Sequence, residues 1–242
     1  VVVTPPLRRI VWPTATRIIA SKYPPIDLYE RVSGNPAIWD ALIAAEQLTN
    51  PRLRDAAGAI HLVLPEERIS GPGASYVMAP FTHVNPKRSR FSDGRQGAYY
   101  AAVDLVTAVA ETAHHFGRFA ADSGDGPRYE DMRVLVGRID AEMHDLATWD
   151  EPERALVMTR DDYAYSQGFA RTLRDQGSMG VHYRSVRYEG GSCVAVFRPS
   201  SVGIPVQTKH LRYDWDGTAV RRYFDFGEDV WMDVPDFPIG KK

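Results

Sequence analysis

Residues 98 to 113 change hydrophobic period within a single position, and this constrains the fold more than any other stretch. Ala98 to Val103 is a short strand-type run, Asp104 is a good helix N-cap, and Val106, Val109, Ala110 and Ala113 then recur at helical spacing. A strand that feeds a helix with no spacer is a tight unit, so the fold must place the two as packed neighbours. Strands are also predicted over 134–139, 205–214 and 219–226. Val181 to Tyr188 is predicted to pair with Ser192 to Phe197 across Gly190-Gly191, a loop that tolerates positive φ. Helices are expected over 36–48, after Asn35-Pro36, and over 162–175, ending at Gly177. The pattern is α+β. With no internal repeat and no linker, the expectation is one domain over 1–242.

Two segments read as irregular. Pro5, Pro6, Pro13, Pro24 and Pro25 predict an N-terminal extension over 1–25 that wraps the domain. Residues 65 to 97, rich in Pro, Gly, Ser and Arg, read as a long basic loop carrying Lys87, Arg88, Arg90 and Arg95. The acids from Asp140 to Glu153 read as a solvated surface.

Composition narrows the function. The 29 basic and 31 acidic residues leave a net charge of −2, so no whole-molecule field recruits nucleic acid or anionic membrane. Cys193 is the single cysteine, which rules out an intramolecular disulfide and agrees with a cytoplasmic location. No apolar run reaches membrane-span length, and the N-terminus lacks the layout of a signal peptide.

Several motifs fail on inspection. Gly71-Pro72-Gly73 is not followed by Gly-Lys-Ser/Thr or by an expected helix, so it reads as a turn. Asp122 to Gly126 lacks calcium-loop spacing. Glu111 and His114 form one Glu-x-x-His element, but no second one is present, so no metal is expected. There is no Gly-x-Ser-x-Gly elbow, and Cys193 alternates inside a predicted core strand.

What remains is the block from Ser89-Arg90-Phe91-Ser92 through Gly97-Ala98-Tyr99-Tyr100 to Thr107-Ala108-Val109-Ala110-Glu111. It resembles the RES-domain family of toxins, in which an Arg-aromatic segment precedes Gly, a Tyr-bearing strand and a Thr-Ala-x-x-Glu helix. Gly180-Val181-His182-Tyr183-Arg184-Ser185-Val186-Arg187 is similar to the family's Gly-Ile-x-Tyr-x-Ser-x-Arg strand, and Tyr29-Glu30-Arg31-Val32 to its first arginine segment. The chain departs in having Ser-Arg-Phe-Ser for Gly-Arg-Trp-Asn, and in the 58 residues between Arg31 and Arg90.

The resemblance implies a split β-sandwich with flanking helices like that of ADP-ribosyltransferases. It implies NAD+ as a consumed substrate and a cognate antitoxin of helix-turn-helix type in a hetero-oligomer. Arg31 and Arg90 would anchor the pyrophosphate, since a guanidinium presents forked donors to phosphate oxygens. Glu111 would stabilise the positive ribose left when nicotinamide departs, and Tyr100 would stack on nicotinamide or ribose. Ser185 would donate to phosphate or ribose. Arg31, Tyr100 and Glu111 form the expected catalytic set. By helical geometry Glu111 lies ~140° from Val106, on a side shared with Thr107, His114 and Arg118, and Tyr99 points away from Tyr100 across the strand. The acceptor of ADP-ribose is left open between a host protein, favoured for the extra surface of the basic loop, and water or phosphate. A nucleotide-binding module without turnover is the reading from another class.

Overall fold

The computed structural model describes residues 4–22, 35, 38–47, 57–150 and 152–235. Among these residues eight strands form one sheet with helices on both sides, an α+β architecture. The N-terminal stretch overturns the expectation of an irregular extension, because Leu7–Ala20 is a strand, β1. Its Pro13 falls at a shift of register between Trp12 and Ala15, where the missing N–H interrupts no regular ladder. The apolar stretches Ile10 to Trp12 and Ile18 to Ala20 on either side outweigh the prolines.

β1 runs antiparallel along β3 (Arg128–Asp145), which is far longer than the six-residue strand expected there. The acids at its end are divided rather than uniformly solvated. Asp140 is at the surface, bonded to Arg9 and Arg138, whereas Asp145 is buried and accepts from His182 Nδ1 at 2.7 Å, Ala147 N and Thr148 Oγ1.

The remaining strands are β2 (Tyr99–Ala102), β4 (Gly180–Arg184), β5 (Ser192–Val196), β6 (Val206–Trp215), β7 (Val220–Asp225) and β8 (Val230–Asp233). The order is β1-β2-β5-β4-β3-β6-β7-β8, with β1 also paired to β3, so the first five strands close a circuit and β6 to β8 extend it. The β4–β5 hairpin forms as expected, but β4 ends at Arg184 and the loop is longer than two residues.

Alternation sends successive residues of β2 and β5 into two cores. Tyr99, Ala101, Val194 and Val196 pack on one side with α1 (Trp39–Gln47) and α2 (Ala74–Thr82). Ala102, Cys193 and Ala195 pack on the other with α3 (Leu105–Asp122) and α5 (Ala164–Asp175). A single turn, α4 (Glu153–Val157), adds Val157 to that second core. Helix α1 buries Trp39 and Ile43 but leaves Leu42 exposed.

Helix α2 is the second correction, since it lies inside the stretch expected to be a basic loop. It opens directly after Gly71-Pro72-Gly73, which forms the expected turn with Gly73 at φ +87°, and buries Val77, Met78 and Phe81. Gly97 lets β2 begin against this helix: a Cβ there would lie 1.8 Å from the carbonyl oxygen of Pro80. Asp104 caps α3 as expected, accepting from Thr107 N at 2.8 Å. The stripe is rotated from the expected one, because Val106 is exposed while Thr107 and Ala108 are buried.

Candidate functional site

The rotation of α3 decides where its acid goes. With Thr107 and Ala108 turned inward, Glu111, one turn further on, sits at the edge of the second core, where α3 passes the start of the β4–β5 loop. Its carboxylate accepts the Ser185 hydroxyl proton at 2.6 Å. Ser185 Oγ in turn accepts from the backbone N–H of Arg187 at 3.1 Å and of Tyr188 at 3.0 Å. The loop therefore fixes the hydroxyl, and the hydroxyl fixes the carboxylate. This differs from the expected ligand contact, because the proton of Ser185 is already committed to Glu111.

Glu111 lines a cleft of about 590 Å3, together with Arg17, Arg90, Tyr100, His115 and Tyr183. That volume lies within the ~300 to 1,000 Å3 of small-molecule and cofactor sites. Tyr100 and Glu111 both line this cleft, and Tyr99 faces the other core. The Tyr100 hydroxyl meets Ser89 Oγ at 2.8 Å and accepts from Phe91 N at 3.0 Å, so it pins the arginine-bearing segment to β2. Burial raises its phenol above the ordinary tyrosine value, and it stays protonated at neutral pH.

Arg90 is buried in the wall. It donates to the carbonyls of Thr159 at 2.7 Å and Arg160 at 3.3 Å, and its guanidinium lies 4.7 Å from the Tyr163 ring centre. Among the described residues its partners are neutral, and no carboxylate cancels its charge. Arg17 is similar, donating to Tyr100 O at 3.0 Å and lying 4.7 Å from the Tyr99 ring centre. Burial lowers its pKa. Arg31 lies outside the described residues.

Sequence reasoning missed Arg17, because it falls in the segment taken as irregular. It also passed over Arg187, the last residue of the second motif. Arg187 is buried and bonds Arg160 O at 2.7 Å and Asp161 Oδ1 at 2.9 Å. Arg90 and Arg187 thereby fasten the 157–161 segment from two sides. His115 lies at the open mouth, its Nε2 3.7 Å from Glu111 Oε2. Desolvation of the charged ring, then His114, Arg187 and Arg90, push its pKa down to about 3, so it is neutral at pH 7.

Cys193 is buried and its thiol is pushed well up, mainly by burial, which makes it inert. No group of three or more His, Cys, Asp or Glu among the described residues could hold a metal ion. No helix among them is long and apolar enough to cross a membrane.

These features define an α+β protein with a serine-held carboxylate in a cleft where Arg17 and Arg90 have neutral partners among the described residues. The RES domain model matches residues 65–216, more than half of the chain, and the chain belongs to the RES domain family. It is 28% identical over 214 residues to the uncharacterized protein y4oC of Sinorhizobium fredii (strain NBRC 101917 / NGR234), covering 88% of this chain and 87% of that one. A solved structure, the M. tuberculosis MbcT-MbcA toxin-antitoxin complex, aligns with a TM-score of 0.42 at 13% identity, over 81% of this chain and 83% of that chain.

Proposed function

We propose that the cleft binds NAD+ and cleaves its nicotinamide–ribose bond, and that the protein acts as the toxin of a toxin-antitoxin pair. The observation that carries this reading is a carboxylate, Glu111, fixed by Ser185 in a cavity where Arg17 and Arg90 have neutral partners among the described residues. An anionic dinucleotide supplies the missing negative charge, and its ribose supplies a centre that turns positive.

In the reaction the C1′–N1 bond breaks and its electron pair goes to the ring nitrogen, so the pyridinium leaves as neutral nicotinamide without a general acid. The ribose carbon takes up positive charge, and Glu111 stabilises it from a position set by Ser185. Arg90, Arg17 and, from outside the described residues, Arg31 hold the pyrophosphate. To reach a phosphate oxygen Arg90 keeps its stacking on Tyr163 and exchanges part of its bonding to the carbonyls of residues 159 and 160. Tyr100 offers its ring to the nicotinamide end while its hydroxyl holds the Ser89–Phe91 segment.

The acceptor then adds to the ribose carbon and loses a proton. We favour a host protein, with water and phosphate as the other routes. The cations Lys87 and Arg88 lie in the lining of the cleft itself, so the basic segment serves the substrate as well as the surface around it.

The test is to incubate the purified chain with NAD+ and follow free nicotinamide, with mass spectrometry of expressing cells for an ADP-ribose adduct. Nicotinamide release is expected. Binding of NAD+ with no release under any acceptor condition would replace this reading with that of a non-catalytic nucleotide-binding module.

A further inference from the structure

Among the described residues, the sheet circuit formed by β1 to β5 leaves one free end, strand β8, at the end of the described chain. Its residues Val230, Trp231 and Met232 are each about 40% exposed, and the strand contains no lysine, proline or bulge of the kind that guards a sheet edge. Val234 N donates to Arg221 O, so the backbone groups of even-numbered residues turn toward β7. By alternation, the N–H and C=O groups of Trp231 and Asp233 point outward from the free edge.

We propose that this edge pairs antiparallel with β8 of a second copy of the chain about a two-fold axis, joining the two sheets into one. Side-chain alternation allows two central registers, one centred on Trp231 and one on Met232. The first sets Asp229 against the second copy's Asp233, a like-charge clash. The second sets Met232 against Met232, Val230 against Val234 and Trp231 against Asp233, and it lets Trp231 and Asp233 of each copy exchange backbone hydrogen bonds.

Charge complementarity selects the second register and the second copy as occupant. The Arg222 guanidinium lies 4.5 Å from the Trp231 ring centre and commits its Nε to Asp214 Oδ2 at 2.8 Å, so a further carboxylate would meet its two terminal nitrogens. Asp233 is Arg222's cross-strand neighbour and, among the described residues, has no ion-pair partner. In the pair, each Asp233 carboxylate reaches the Trp231 of the other copy, where that copy's Arg222 is already stacked. The outward face continues the contact with Phe224, 5.4 Å from Trp231, and Tyr129, 6.0 Å from it. Aromatic, Met and Arg side chains are those enriched at the core of protein interfaces.

Sedimentation equilibrium of the full chain from about 1 to 100 µM tests the pairing, with a species of twice the 27.1 kDa chain mass expected. Met232→Lys places two cations at the axis and should weaken association by about 30-fold or more. Met232→Glu should do the same, and mixing the two variants should restore a heterodimer, an outcome that a misfolded edge could not give. A wild-type chain that stays monomeric throughout overturns the proposal. So does a dimer indifferent to both substitutions, or an edge that pairs only with a strand of another protein.

Discussion

Ser185 and Glu111 form the shortest chain of consequence in the molecule: two backbone N–H groups orient one hydroxyl, which orients one carboxylate. Replacing Glu111 by Gln keeps the shape and removes the charge, so turnover of NAD+ should fall by about 10² to 10³ while binding persists. Ser185→Ala leaves the charge but frees the carboxylate to swing. It should lower kcat with KM little changed, and Ser185→Thr should restore part of the loss. A Ser185→Ala enzyme with only KM raised would mean that the hydroxyl touches substrate instead. His114 makes a prediction of a different kind. Burial, then Arg187, pushes its pKa down to about 4 from 6.5, and its Nε2 is buried without a partner. The folded state thus binds fewer protons than the unfolded chain between those values, and stability falls as pH drops from about 6.5 toward 4. The melting temperature should follow that slope, to which His115 adds with the same sign, and His114→Gln should make it shallower without abolishing it; an unchanged slope would assign the effect to other groups.

Among the elements, the junction of β2 and α2 carries the glycine that leaves least room for a side chain. Gly97→Ala would drive a methyl into the carbonyl of Pro80, so either the helix or the start of β2 must move. Loss of stability comparable to overpacking of a core, about 1 to 3 kcal/mol, is expected in denaturant unfolding. Activity should fall with it, because Arg174 bonds the carbonyls of Phe91 and Gly97 and so ties this junction to the Arg90 segment. The same region marks what the sequence makes legible. The β2–α3 unit, its Asp104 cap and the separation of Tyr99 from Tyr100 are readable because local period and local capping agree with the fold. Helix α2 is not, because Pro80 and the surrounding glycines and arginines mask its apolar spacing. Strand β1 is not, because the prolines hide a bulge that only pairing with β3 explains. The Ser185–Glu111 bond joins residues 74 apart in the chain, and Arg17 reaches the cleft only through that unrecognised strand.

For the whole molecule, a net charge of −2 conceals an uneven distribution, in which Arg17, Lys87, Arg88, Arg90 and Arg118 outnumber Glu111, Asp122 and Asp162 in one cleft. Within that cleft Arg17 and Arg90 are bonded to neutral carbonyls and aromatic rings. Covering such a site with an apolar partner would strand desolvated cations at a cost of several kcal/mol per ion. An inhibitor that fills the cleft must therefore bring its own anion, and an antitoxin is expected to do so with a carboxylate-bearing segment. Expression of the chain alone should arrest growth, and co-expression with the protein encoded beside it should restore growth and yield a hetero-oligomer. Neutralising the inserted carboxylates of that partner should return growth arrest, and Arg90→Ala in this chain should weaken the complex along with NAD+ use. A chain that is harmless alone and purifies without a partner from its own operon would leave the RES fold in place and remove the toxin assignment.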